Sequence, residues 1–336
     1  MIIFVPLFFY SMSNKLFFLI SIALIGFSCK QNAQTNTPSK TVEKVVVPEF
    51  NPDSAYVYTA TQVAFGSRVP NTPAHKACGN YLAGELRRLG AGVIEQEATL
   101  QTYDNQSIQA KNIIASFNRE NKNRVLLCAH WDSRPYADND ANPENHRKPI
   151  DGANDGAGAC GVLLEIARQI GEHSPNIGID IILFDAEDWG EPQFDRRGRD
   201  GWCLGSEYWA QHPHVLNYTA NYGILLDMVS APNAQFYKEY FSMQYAPNVV
   251  KKVWEAAQVC GFSNYFINRQ SGGIEDDHLQ IFKHRKIPCI DIIQYDPNTS
   301  SGFGDYWHTL NDNMDRVSKE TMKAVGQTVL YVIYNQ

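Results

Sequence analysis

The sequence predicts a three-layer α/β/α sandwich with a mixed, mostly parallel central sheet. Three observations carry this expectation. Short β-branched apolar runs recur along the chain, at 111–117, 124–131, 180–185, 222–229 and 288–295. Several are continuously apolar, as strands covered on both faces are, rather than alternating like strands with one wet face. Helical stretches lie between them, at 74–89, 157–170, 248–260 and 319–334. Alternation of strand and helix is the pattern of a parallel sheet flanked by helices.

Composition agrees with a folded enzyme-sized domain. The chain has 336 residues, of which 44% are hydrophobic and 19% charged, so it can bury a large core. A formal net charge of -7 and the lack of a basic cluster exclude a nucleic-acid partner.

The first residues read as a targeting segment. Lys15 precedes an apolar run from Leu16 to Phe27, followed by Ser28 and Cys29. A charged start, about a dozen apolar residues and a small residue before the cut fit a bacterial signal peptide. The run is short for a membrane span. Cys29 after a small residue resembles a lipobox, in which the cysteine is acylated and becomes the first mature residue; Gly26 and Phe27 stand where aliphatic and small residues are usual. Met12 is a second candidate start, because residues 1–11 carry no charge. An uncleaved anchor helix is the alternative. The expected organisation is a signal and lipobox segment over 1–29, a polar tether over 30–47 and one globular domain over 48–336. The domain is then exported to the periplasm and meets the membrane only through its lipid. Cys29 is one of seven cysteines; the rest are scattered without a CxxC, and Cys128 and Cys160 sit in apolar surroundings like small buried hydrophobes. Their spacing leaves disulfides undecided.

In α/β sheets, ligands bind beyond the carboxyl ends of the strands. The polar residues able to do chemistry stand there. The run 124–129 stops at His130-Trp131-Asp132, the run 181–184 at Asp185-Ala186-Glu187-Asp188, and the run 224–226 at Asp227. Loops 132–154 and 189–202 follow two of these ends as a candidate rim. Together with Asp155 and His308, the set His130, Asp132, Glu187, Asp188 and Asp227 offers nitrogen and oxygen donors without a thiolate. Imidazole plus carboxylates is the donor set of a catalytic zinc rather than a structural one. Each residue has a plainer reading alone. A strand-end Asp commonly caps a turn, Asp155 could cap the helix that follows it, and Glu187-Asp188 could be an exposed acidic turn.

The order of these residues adds to the argument: H-x-D, then N-D-G, E-D after a strand, a strand-end D, and W-H. It resembles the zinc-dependent aminopeptidase family M28, including its glutaminyl cyclase branch. The matching stretches are AHWDSR (129–134), DGANDGAGACGVLLEIAR (151–168), FDAEDWG (184–190), GSEYWA (205–210), LLDMVSAPN (225–233), IEDDHLQIF (274–282) and WHTLNDN (307–313). The resemblance implies zinc held by Asp155, Asp188 and His308, with Glu187 as general acid and base. It implies that Asp227 and Asp277 hold the substrate amide and share protons, with Asp276 as an alternative to Asp277. Trp189, Trp202 and Trp307 become pocket walls, and His130 and Asp132 either bind a second metal or support the ligands.

Both branches of the family share this skeleton. A peptidase needs metal-activated water, whereas a cyclase uses the substrate's own α-amine and needs only one Lewis acid. Trp307 directly before His308, the Asp276-Asp277-His278 segment and the G-A-x-D loop at 152–155 resemble cyclases. The implied activity is conversion of N-terminal glutamine in peptides or proteins to pyroglutamate, with ammonia released and one zinc per chain. His130 and Asp227 keep a two-zinc aminopeptidase as the alternative, and a metal-free peptide-binding relative is a third reading. Two departures from animal cyclases stand out: Asp188 replaces a glutamate ligand, and Asp291 occupies a strand position where those enzymes have histidine.

Overall fold

The computed structural model describes residues 46–336; the targeting segment, Cys29 and nearly all of the tether lie outside them. Helix α1 (Pro52–Ala64) starts where the Asn51 side chain accepts the backbone N–H groups of Asp53 and Ser54, with proline in the first turn. Thr72 caps α2 (Pro73–Arg88) in the same way. An antiparallel hairpin follows, β1 (Gly92–Gln101) and β2 (Ser107–Phe117), in register from Gly92 opposite Ser116 to Gln101 opposite Ser107. Next come β3 (Arg124–His130), α3 (Ala159–Glu172), β4 (Gly178–Phe184), α4 (Leu204–Gln211) and β5 (Tyr222–Asp227). The chain continues through β6 (Phe236–Lys238), α5 (Tyr240–Tyr245), α6 (Pro247–Val259), β7 (Phe266–Gln270), α7 (Asp277–Arg285), β8 (Cys289–Ile293) and α8 (Lys319–Tyr334).

The main sheet has the order β1-β2-β4-β3-β5-β8, and β6 pairs with β7 in a small separate sheet. Strands β4, β3, β5 and β8 are parallel, while β1 and β2 form an antiparallel edge. All five apolar runs are strands, and the sandwich is mixed and mostly parallel as expected.

Burial on both faces follows from the two-residue period of a strand. Ile113, Leu127, Ile181, Leu183, Ile224 and Ile292 point into a core shared with α1, α2, α3, α6 and α8. Their neighbours Ile114, Leu126, Cys128, Ile182 and Leu225 point the other way, against Trp209 of α4 and Ile281 of α7. Continuous apolarity was therefore needed, since each face packs its own helical layer. The four parallel strands consequently end on one edge of the sheet, at His130, Phe184, Asp227 and Ile293. Among the described residues no helix is long and apolar enough to cross a membrane. The six cysteines there are free thiols.

Candidate active site

A cavity of about 220 Å³ opens beyond those strand ends. Asp155, Glu187, Asp188, Asp227, Asp276 and His308 line it, and Trp202, Trp307, Phe303 and Ile293 wall it. A larger hollow of about 530 Å³ beside α2 and β2 collects Thr72, Lys76 and Lys111 but none of these acidic groups.

Two buried carboxylates set the turns that carry the site. Asp132, on the segment leaving β3, accepts the consecutive backbone N–H groups of Glu187 (3.1 Å) and Asp188 (3.2 Å). Asp312 does the same for Asn154 (2.8 Å) and Asp155 (3.1 Å). Each carboxylate thus fixes the backbone of a metal-ligand candidate without touching its side chain. Asp132 is therefore a clamp rather than a ligand. Gly156 is demanded by close approach, because a Cβ there would lie 2.4 Å from the His130 carbonyl oxygen. The Asp155–Gly156 peptide is cis.

Several residues at the site hold left-handed backbone: Ala186 (φ 54°), Cys203 (φ 57°), Met228 (φ 46°) and His308 (φ 55°). Such conformations cost side-chain-bearing residues roughly 1–2 kcal/mol each and persist where the surroundings over-determine them. Here they flank Glu187, Asp227 and the His308 ring. His308 stacks on Trp307 at 3.8 Å and on Trp202 at 5.9 Å between ring centroids, so its plane is fixed from two sides. Arg134, 1% exposed, forms a forked pair with Asp138 at 2.7 and 3.0 Å and reaches Asp188 Oδ1 at 3.3 Å.

Residues 112–333 match peptidase family M28. The chain belongs to that family. A glutaminyl cyclase from Tannerella forsythia is 59% identical, with a TM-score of 0.85 over 86% of this chain and 100% of that one. A Zn-dependent exopeptidase from Parabacteroides distasonis is also 59% identical, with a TM-score of 0.86 over 87% of this chain and 100% of that one. The glutaminyl-peptide cyclotransferase of Bos taurus is 26% identical over 77% of this chain and 76% of its own length.

M28 enzymes are zinc-dependent, and the donors of this M28 chain fit the ion. Asp155, Asp188 and His308 each offer an atom within 4.8 Å of the others. His308 Nε2 lies 3.4 Å from Asp188 Oδ1 and 3.6 Å from Asp155 Oδ2, beyond good hydrogen bonds. Donors bonded to zinc at about 2.0–2.1 Å in a tetrahedron lie roughly 3.3–3.4 Å apart, which is close to this spacing. Asp188 Oδ2 is buried without a partner, as a vacant ligand atom is. Burial and Arg134 hold the His308 pKa down to about 3, so the ring is neutral and ready to donate its lone pair.

A second cluster, His130, Asp155 and Asp227, is packed differently. His130 Nε2 lies 3.0 Å from Asp155 Oδ1 and 3.1 Å from Asp227 Oδ1, which are hydrogen-bond distances. Burial works against charge on this ring, but Asp132, Asp155 and Asp227 outweigh it and hold His130 well above the usual histidine range. Burial, with nearby Asp188, Asp276 and Asp277, pushes the Glu187 carboxyl well above its ordinary range. Glu187 Oε1 accepts the Cys203 thiol at 3.4 Å.

Two expected site residues are elsewhere. Trp189 packs with Val69, Tyr103, Ile108 and Ala186 in a satellite core, because the chain leaving Asp188 turns its ring away from the cavity. Asp277 is the first residue of α7 and is fully buried beside Ser206, whereas Asp276, the cap of that helix, lines the cavity. Arg134, Cys203, Phe303 and Asp312 were not anticipated as site residues. Arg134 and Asp312 do lie inside the quoted AHWDSR and WHTLNDN stretches, so their place in the sequence was a signal.

Proposed function

We infer that this chain is a glutaminyl cyclase, which closes an N-terminal glutamine of a peptide into pyroglutamate and releases ammonia. The observation that carries this reading is the 59% identity, across all of that chain, to a solved glutaminyl cyclase. The site's chemistry agrees with it. Zinc, when bound by Asp155, Asp188 and His308, supplies a Lewis acid that polarises the side-chain amide carbonyl. Glu187 takes a proton from the α-amine as that nitrogen attacks the amide carbon, and returns it to the departing ammonia. A raised carboxyl pKa suits a group that must serve as base and then as acid. Asp227 and Asp276, not Asp277, are the further carboxyls facing the substrate. Trp202 and Trp307 give the small cavity apolar walls that exclude water, which a cyclisation does not need.

One zinc per chain is the reading supported by the spacing of the two clusters. Asp155, Asp188 and His308 are spread as donors around an ion, while His130 is already hydrogen-bonded between Asp155 and Asp227. The two-zinc aminopeptidase remains the second reading, favoured by the exopeptidase relative and by that second cluster. Ammonia release from glutaminyl peptides, run beside amine release from aminoacyl anilides with zinc counted in the same sample, separates them. Cyclase activity with one zinc is expected; anilide cleavage with two zincs overturns the proposal.

The amino-terminal sequence supports export to the periplasm and attachment by a lipid on Cys29. Cys29→Ser is expected to move the protein from the membrane to the soluble fraction with unchanged turnover. A variant that stays with membranes contradicts acylation there.

A further inference from the structure

At about 220 Å³ the cavity is smaller than the roughly 300–1,000 Å³ of sites that enclose a drug-sized ligand, so the residues after an N-terminal glutamine leave through its mouth. Trp202, Ile274, Phe303 and Trp307, each half-buried, form that mouth together with Glu275. Of the carboxylates that line the cavity, Glu275 alone is exposed. No lysine or arginine lies among the lining residues, and the Glu275 carboxylate has no hydrogen bond or ion pair among the described residues.

The place of this charge is set by its neighbours. The Ile274 N–H donates to the buried carboxylate of Glu239 at 3.0 Å, and Asp276 caps α7. Gly273 presses on α5, where an added Cβ would lie 2.7 Å from the Phe241 ring. The segment is thus pinned on both sides of Glu275, which holds its side chain at the rim. The acidic groups deeper in the cavity have other work. Zinc, when bound, offsets Asp155 and Asp188, while Glu187, Asp227 and Asp276 face the glutamine itself. Glu275 is left as the uncompensated charge where the second residue of a peptide passes. The net charge of -7 on the chain has the same sign and strengthens the field at the mouth.

We propose that Glu275 is a specificity-determining residue for the position after glutamine: its carboxylate favours peptides with lysine or arginine there and disfavours those with aspartate or glutamate. The assignment rests on the cyclase reading.

The test uses three peptides of the form Gln-X-Ala-amide, with X as lysine, alanine or glutamate. Ammonia release is followed for the zinc-loaded wild type, Glu275→Gln and Glu275→Lys. Exposed charge pairs give factors of a few each, and a rim charge acts on capture of the substrate more than on the chemistry. Attraction of lysine and repulsion of glutamate together should make wild type prefer the lysine peptide by roughly fivefold to twentyfold in kcat/KM, through KM, with alanine between. Raising salt to about 0.5 M should shrink that ratio to within about threefold. Glu275→Gln should bring it within about threefold at low salt, and Glu275→Lys should reverse it. Ratios taken within one enzyme cancel any general loss caused by the substitution. Equal kcat/KM for the three peptides in wild type overturns the assignment. So does a lysine preference that survives in Glu275→Gln, which would place the field in the buried carboxylates instead. A wild type that releases no ammonia from any of the three overturns the cyclase reading and the assignment with it.

Discussion

Replacing Glu187 by glutamine isolates the proton transfers from everything else at the site. The turn that carries residue 187 is held by Asp132 through backbone N–H groups, so it does not depend on the Glu187 side chain. Among the described residues that side chain hydrogen-bonds the Cys203 thiol at 3.4 Å, which a glutamine oxygen can accept equally well. Neither the zinc donors nor the indole walls are altered. What is lost is the ability to take a proton from the α-amine and return it to ammonia. Loss of one general base slows turnover by ~10²–10⁴-fold, or about 2.7–5.4 kcal/mol at 1.36 kcal/mol per decade, and here one group serves both transfers. Glu187→Gln is therefore expected to lose kcat by ~10⁴-fold or more, the large end of that range. KM and bound zinc should hold near wild type. Continuous ammonia detection with a glutaminyl peptide, beside metal analysis of the same preparation, reads both. A variant with intact zinc and kcat within about tenfold of wild type would remove Glu187 from the acid–base role.

Asp312→Asn should lower both the melting temperature and zinc affinity, since the Asn154 and Asp155 N–H groups go to different carboxylate oxygens and the amide replaces one of these with a donor, leaving one buried N–H unsatisfied at a cost of about 1–3 kcal/mol; thermal unfolding with and without a chelator checks it. Gly190→Ala would put a Cβ 1.8 Å from the Trp202 ring. Trp202 stacks on His308 and carries Arg134 over its face at 4.7 Å, so kcat/KM is expected to fall on the order of a hundredfold while the fold survives. Asp180, remote from the cavity, tests the acid limb of stability. Burial opposes its ionisation, but Arg124, Ser116 and Tyr218 outweigh that and keep its carboxyl below the usual range. A lowered folded pKa gives stability that is fully present above the unfolded value of about 3.9 and is lost as pH falls through the folded one. Asp180→Asn should thus cost roughly 3–5 kcal/mol near neutrality and progressively less in acid, measured by denaturant midpoints across pH.

The parallel centre of the sheet was legible because its strands pack helices on both faces and therefore read as unbroken apolar runs. The edge strand β1, GVIEQEATLQ, was not, since an edge tolerates charge on its exposed side and erases that signal. Helix α7 was missed for a related reason: only Asp277, His278 and Ile281 of its residues are buried, leaving little apolar periodicity to detect. At the site, Asp188 was legible as a strand-end donor, and Asp155 and His308 through the N-D-G and W-H order around them. The partition among neighbours was harder. Asp276 and Asp277 are adjacent acids, and only the start of α7 between them decides which one caps the helix facing the cavity and which turns to Ser206. Trp189 and Trp202 likewise differ only in where the loop turns. Asp132 looked like a metal donor because a carboxylate that grips backbone N–H groups has the same sequence signature as one that grips an ion.

The claim on which the account stands is that the attacking group is the substrate's own amine and not water. Turnover of a glutaminyl peptide in heavy-oxygen water, followed by mass spectrometry, tests it directly. Cyclisation predicts a pyroglutamyl peptide without heavy oxygen and ammonia as the only other product. Free glutamine, or any product carrying heavy oxygen at a new carboxylate, would contradict it.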